Sequence, residues 1–133
     1  MRAKLEAAGF KILGEWQADG EHIELTVPPP KGCGSVYSFL VDGEVVYIGK
    51  TEKCLRTRMS HYRKPGPTQS TNIRIKALIR EALANGSRVE MLSISPEPTV
   101  WNELPVSVVC GLEAGLIDLI HPKWNQLMNR KAA

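Results

Sequence analysis

The sequence predicts an α/β domain of the α+β kind, in which a small antiparallel three-stranded sheet is flanked by helices. Three observations lead there. Residues 36–41 and 45–48 are rich in β-branched and aromatic side chains on either side of Asp42-Gly43, a hairpin signal. Residues 54–62, 72–84 and 107–120 carry apolar residues at helical spacing. Residues 88–94 supply a third strand between the last two of those helices, so the order reads strand, strand, helix, helix, strand, helix.

Taken in order, the first nine residues read as a helix that stops at Gly9, and short strand-like pieces follow at 11–16 and 22–27. Pro28-Pro29-Pro30-Lys31-Gly32 continues neither helix nor sheet, so residues 1–30 are read as an N-terminal extension packed on a main domain at 31–133. In the hairpin, a two-residue Asp42-Gly43 turn would pair Val41 with Glu44 and send Tyr37 and Tyr47 to opposite faces. A three-residue loop with a bulge at Gly43 would pair the two tyrosines directly, and the sequence is read in that register. The stretch 63–71, with its Pro-Gly-Pro, is expected to be an exposed loop, and Thr71 or Asn72 caps the helix after it more simply than it contacts a ligand. Asn85-Gly86 closes that helix, a Pro-rich loop leads to Pro105, and Pro122 stops the last helix. Trp16, Trp101 and Trp124 are expected to cover the core. His61 and His121 read as surface residues, and His22 has no evident partner.

At 133 residues, 43% apolar and 23% charged, the chain has material for one packed domain and not for a disordered segment. It has no apolar run near the ~18 residues of a membrane span, and its first residues mix both charge signs without an apolar stretch. Cys33, Cys54 and Cys110 show neither C-x-x-C pairs nor His partners at zinc spacing, which reads as reduced thiols in a cytoplasmic protein.

The net charge of +3 conceals an asymmetry. Residues 1–49 hold four Lys/Arg against seven Asp/Glu, and 81–133 hold four against six. Residues 50–80 hold nine against Glu52 alone. One basic block in a mildly acidic chain suits a polyanion-facing surface as well as it suits a solvated helix face.

Two constellations carry chemistry. In the last helix Val109, Leu112, Leu116, Ile117 and Ile120 share an arc, and Glu113 falls inside it while Asp118 points to solvent. A carboxylate in an apolar stripe needs a cation or donors; a nearby Arg would serve, and so would a metal with a phosphate. In the 54–62 helix Arg58 and Tyr62 stand four residues apart on one face, where a guanidinium fork and a phenol can both meet phosphate oxygens.

Ser35-Val36-Tyr37, then Tyr47-Ile48-Gly49-Lys50, then Leu55-Arg56-Thr57-Arg58 with Tyr62, then Leu112-Glu113-Ala114 and Asn125, resemble the GIY-YIG nuclease family over residues 34–126. Ser35 and Val36 depart from the Gly and Ile of the first triad, but its Tyr is intact. The resemblance implies a metal-dependent DNA endonuclease of restriction type, hydrolysing phosphodiester bonds. It implies that Tyr37 holds or deprotonates the attacking water, that Tyr47 joins the same cluster, and that Lys50 lowers the phenol's pKa or stabilises developing phenolate. Arg58 would grip the scissile phosphate with Tyr62 beside it. Glu113 would hold a single divalent metal, Mg2+ or another such as Mn2+, and Asn125 would orient either a contact behind the groups that touch the phosphate or a phosphate contact itself.

A phenol near pKa ~10 needs neighbouring cations to act as a base at neutral pH, and Lys50, Arg58 and the metal would supply that field. Lys53, Arg56, His61, Arg63, Lys64, Gln69, Asn72, Arg74 and Lys76 are the candidates for DNA contact, giving salt-dependent affinity along the backbone. A homodimer is one arrangement that would cut both strands. Two other readings stand beside this one: a nucleic-acid-binding module of the same fold without turnover, and an unrelated α/β domain with a solvated basic helix pair.

Overall fold

The computed structural model describes residues 1–31 and 33–126. Gly32, the Cys33 side chain and residues 127–133, the end of the expected main domain, lie outside that description. The elements run α1 (Arg2–Ala7), β1 (Lys11–Asp19), β2 (His22–Leu25), β3 (Cys33–Val41), β4 (Glu44–Cys54), α2 (Leu55–Arg63), α3 (Ser70–Ala84), β5 (Val89–Ile94), β6 (Thr99–Trp101), β7 (Leu104–Val106) and α4 (Val108–Ile120).

The main sheet is antiparallel and has five strands, in the order β2-β1-β5-β3-β4, where the sequence predicts three. The two extra strands come from the first thirty residues. β1 pairs with β5 through a bulge between Ile12 and Gly14, so this segment extends the sheet itself. Each sheet face is covered. Tyr37, Phe39, Val46, Tyr47 and Met91 on one face pack with Leu55, Met59 and Tyr62 of α2 and Ile75 and Ile79 of α3. Val36, Leu40, Val45, Ile48 and Leu92 on the other pack with Leu5 of α1 and Val109 of α4.

The hairpin register differs from the predicted one. Asp42 and Gly43, at φ 49° and 86°, form a two-residue turn that pairs Val41 with Glu44 and Leu40 with Val45. The next pair is Phe39 with Tyr47, so Val46 is the extra residue of a bulge beyond the turn. Tyr37 therefore pairs with Gly49 and not with Tyr47. Because the bulge restores the parity, both tyrosines still face α2.

Three further expectations give way. The Pro-rich loop contains the β6–β7 hairpin, turned at Asn102 and Glu103 with φ of 49° and 67°. Its residues are exposed, Trp101 by 66%, while Trp16 and Trp124 are buried. Neither Thr71 nor Asn72 caps α3, which begins at Ser70 after Gln69. Asn72 lies inside the first turn, and its side chain turns inward.

Candidate active site

Three phenols meet beneath α2. The Tyr37 and Tyr62 hydroxyls are 2.7 Å apart, and Tyr62 donates to Tyr47 at 3.4 Å. Since Tyr62 has one hydroxyl hydrogen, donating it to Tyr47 leaves Tyr37 as the donor to Tyr62. The chain thus runs from Tyr37 through Tyr62 to Tyr47. Tyr37 and Tyr62 are fully buried, and Tyr47 retains 7% of its surface. Phe39 stacks on Tyr47 at 5.7 Å and meets Tyr62 edge-on at 5.4 Å, filling the space beneath the hydroxyls.

Gly49 makes this convergence sterically feasible. A β-carbon there would stand 2.6 Å from the Tyr37 ring and hydroxyl, so no other residue lets Tyr37 lie across the neighbouring strand. Asn125 fixes the same strand from the other side. Its Oδ1 accepts from the Ile48 backbone N–H and its Nδ2 donates to the Ile48 carbonyl, both at 2.8 Å. β4 is an edge strand, and this amide pairs with its backbone as another strand would. The side-chain amide of Asn125 thus supports the strand that carries Tyr47.

Arg58 crosses from α2 to the phenols. Its Nη2 donates to Tyr62 Oη at 2.8 Å and its Nη1 to Asn72 Oδ1 at 2.9 Å, with the guanidinium carbon 4.4 Å from the Tyr62 ring centre. Two of its five N–H donors are spent on these partners and the Tyr37 phenol draws on the same guanidinium, so the fork is held rigid with donors left over. Asn72 is held in turn: its Nδ2 donates to Gln69 Oε1 at 3.1 Å, and that oxygen also accepts from the Gly66 N–H at 3.0 Å. Gln69 and Asn72, expected to touch DNA, here support Arg58.

Burial pushes the Tyr37, Tyr47 and Tyr62 phenols above their ordinary value, and Arg58 is the cation that opposes it. Lys50, expected beside the phenols, is engaged with Glu52. Its ammonium lies 3.5 Å from Glu52, whose other oxygen accepts from the Cys110 thiol at 3.4 Å.

Glu113 projects from α4, which packs on β4 and β3. Partial burial raises its carboxyl above the ordinary value, against Lys50 and Arg58, and its charge is felt at Tyr47. It makes no hydrogen bond or ion pair with the described residues. A half-buried carboxylate without donors, beside an arginine and a phenol, has the chemistry to hold a hard cation. Among the described residues no group of three or more His, Cys, Asp or Glu converges on a metal position. One carboxylate suits magnesium, which keeps several waters and takes further oxygens from substrate phosphates.

The remaining basic candidates spread around α2 and α3. Lys53, Arg56, Arg63 and Lys64 are exposed, and His61 and Arg74 are half-buried. Arg56 donates from Nε to the Pro29 carbonyl at 2.8 Å, and Arg63 faces Asp19 at 3.7 Å. Lys76 lies 2.8 Å from Nδ1 of His22, the partner that sequence reading does not find. Phe39, Gly49 and the supporting part of Asn72 were also missed. Gly49 alone carried a sequence signal, as a glycine inside a strand.

No protein-family model matches the chain. Endonuclease II of Enterobacteria phage T4 is 34% identical over 105 residues, spanning 72% of this chain and 74% of that protein. The structure of bacteriophage T4 EndoII, in a glutamate-to-alanine mutant, matches with a TM-score of 0.78 at 27% identity, over 93% of this chain and 97% of that one. The restriction endonuclease HPY188I, in complex with product DNA, matches with a TM-score of 0.56 over 87% of this chain and 75% of that one, and at 17% identity it shows the fold alone. No helix among the described residues is long and apolar enough to cross a membrane. The extent of the sequence match together with the shared fold makes this chain a nuclease, a member of the endonuclease II family.

Proposed function

We propose that the chain is a DNA endonuclease of the GIY-YIG type, hydrolysing phosphodiester bonds at the Tyr47–Arg58–Glu113 cluster with one divalent metal. The observation that carries this reading is the juxtaposition of a buried phenol relay, a guanidinium with donors to spare, and a carboxylate lacking hydrogen-bond donors among the described residues. A binding module without turnover has no use for a carboxylate beside the group that grips phosphate.

Arg58 places its unspent donors on the non-bridging oxygens of the scissile phosphate and stabilises the charge that grows there. Tyr47, the phenol with exposed surface, meets the attacking water, while Tyr37 and Tyr62 fix its hydroxyl from behind. This shifts the water-side part from Tyr37, whose burial is complete. In its phenolate form Tyr47 takes the proton as the water oxygen bonds to phosphorus; the bond to the leaving sugar oxygen breaks, and that oxygen is protonated from solvent. Glu113 would hold the metal, magnesium or manganese, which when bound supplies Lewis-acid neutralisation at the phosphoryl and leaving oxygens. Lys53, Lys64, Arg74 and Lys76 line the approach as phosphate contacts.

Supercoiled plasmid incubated with the protein and Mg2+ tests this. Nicking or linearisation that needs the metal, and that is lost in Glu113→Ala and Arg58→Ala, is expected. Salt-sensitive retardation without cleavage would establish the binding module instead.

A further inference from the structure

On the far side of α2 from Arg58 lies a pocket of about 410 Å³. Trp16, Leu25, Val27, Pro28 and Met59 give it apolar walls, and Arg56, Arg63 and Glu24 stand at its margin. Three features distinguish it from a packing defect. The indole N–H of Trp16 is buried and has no hydrogen-bond partner among the described residues, an expensive arrangement unless something else supplies the acceptor. Arg56 spends only Nε, on the Pro29 carbonyl, so its terminal nitrogens remain for an anion. Finally, Trp16 meets Phe39 edge-on at 5.8 Å, and Phe39 stacks on Tyr47. The pocket is therefore one ring removed from the phenol relay.

We infer that this pocket takes a single nucleobase swung out of the duplex on the strand that Arg58 grips, away from the scissile phosphate. The inference rests on the DNA endonuclease reading above. The apolar walls accept the flat faces of a base, and the Trp16 N–H donates to a ring nitrogen or carbonyl on its edge. Arg56 and Arg63 hold the phosphates that flank it. α2 then grips one strand from two sides, with Arg58 on the phosphate to be cut and Arg56 on one farther along. Enzymes that take a base out of the stack do it in this manner, paying for unstacking with contacts that only the free base can make.

The test compares binding of the cleavage-deficient Glu113→Gln protein to three duplexes of one sequence. One is fully paired, one carries a single bulged adenine, and one carries an abasic bulge at the same place. The adenine bulge is expected to bind about tenfold tighter than either of the others, the scale of one base stacked in a protein site. Ser60→Phe, at an exposed position lining the pocket, is expected to abolish that preference and leave the affinity for paired duplex unchanged. Trp16→Phe, which keeps a ring and removes the N–H, should reduce the preference severalfold. Equal affinity for all three duplexes overturns the inference alone, as does a preference shared by the abasic bulge or surviving in Ser60→Phe. Failure to bind any of the three overturns the DNA endonuclease reading along with it.

Discussion

The Tyr37 ring occupies the place where a β-carbon on Gly49 would be, 2.6 Å from its hydroxyl-bearing carbon. The two residues are directly paired across β3 and β4. A methyl group at position 49 must push out a fully buried tyrosine or part the strands. Gly49→Ala is therefore expected to destabilise the fold by about 3 kcal/mol, at the upper end for overpacking, and to abolish cleavage. Urea denaturation of the variant beside wild type measures it.

Asn125 satisfies both backbone groups of Ile48, which is itself fully buried. Asn125→Ala strands an N–H and a carbonyl on the edge strand that carries Tyr47. The expected loss is about 3 kcal/mol, one desolvation penalty for each group. Hydrogen exchange should show the Ile48 amide losing protection before its neighbours on β3 do.

The sheet-and-helix plan was legible because its signals are local. Asp42-Gly43 announces a turn, Asn85-Gly86 a helix end, and the apolar arc of α4 a buried stripe with Glu113 in it. The register of the hairpin was not, since the bulge at Val46 leaves no mark: Val45 and Val46 are identical side chains that pack on opposite faces. The β6–β7 hairpin escaped notice because its turn uses Glu103 at positive φ, a residue seldom found there. Strands β1 and β2 were visible, but their joining to β5 is a long-range pairing that spacing along the chain does not encode. Among site residues, the helix periodicity placed Arg58 with Tyr62. The supports of Arg58, Asn72 and Gln69, bear polar side chains that suit a cap or a phosphate equally well, and only the fold shows them spent on a guanidinium.

Glu113 has a carboxyl raised by burial, so in the folded protein its charged form is disfavoured. A raised carboxyl costs stability above its folded pKa and nothing below the unfolded value near ~4.3. Glu113→Gln should accordingly melt at or above the wild-type temperature at pH 7, with the difference closing as the pH falls to 4. Thermal melts across that range check the sign; a variant that melts well below wild type at pH 7 would show that Glu113 holds the fold.

The Tyr47 phenol is pushed above its ordinary pKa near ~10, so its deprotonated fraction at neutral pH is small and grows tenfold per pH unit. If it takes the proton from water, single-turnover cleavage at saturating magnesium should climb steadily from pH 7 to pH 9. Tyr47→Phe should remove that dependence and most of the rate. A plateau below pH 8 would assign the proton to another group.

Arg58 and Glu113 are proposed to serve one phosphate, and groups that act as a unit lose their effect together. Single-turnover cleavage by Arg58→Ala, Glu113→Gln and the double variant is the most direct measure of that claim. Each single change should slow cleavage by ~10³-fold or more, with the double variant no slower than the worse of the two. Wild-type cleavage by either single variant, with its fold intact, would contradict it.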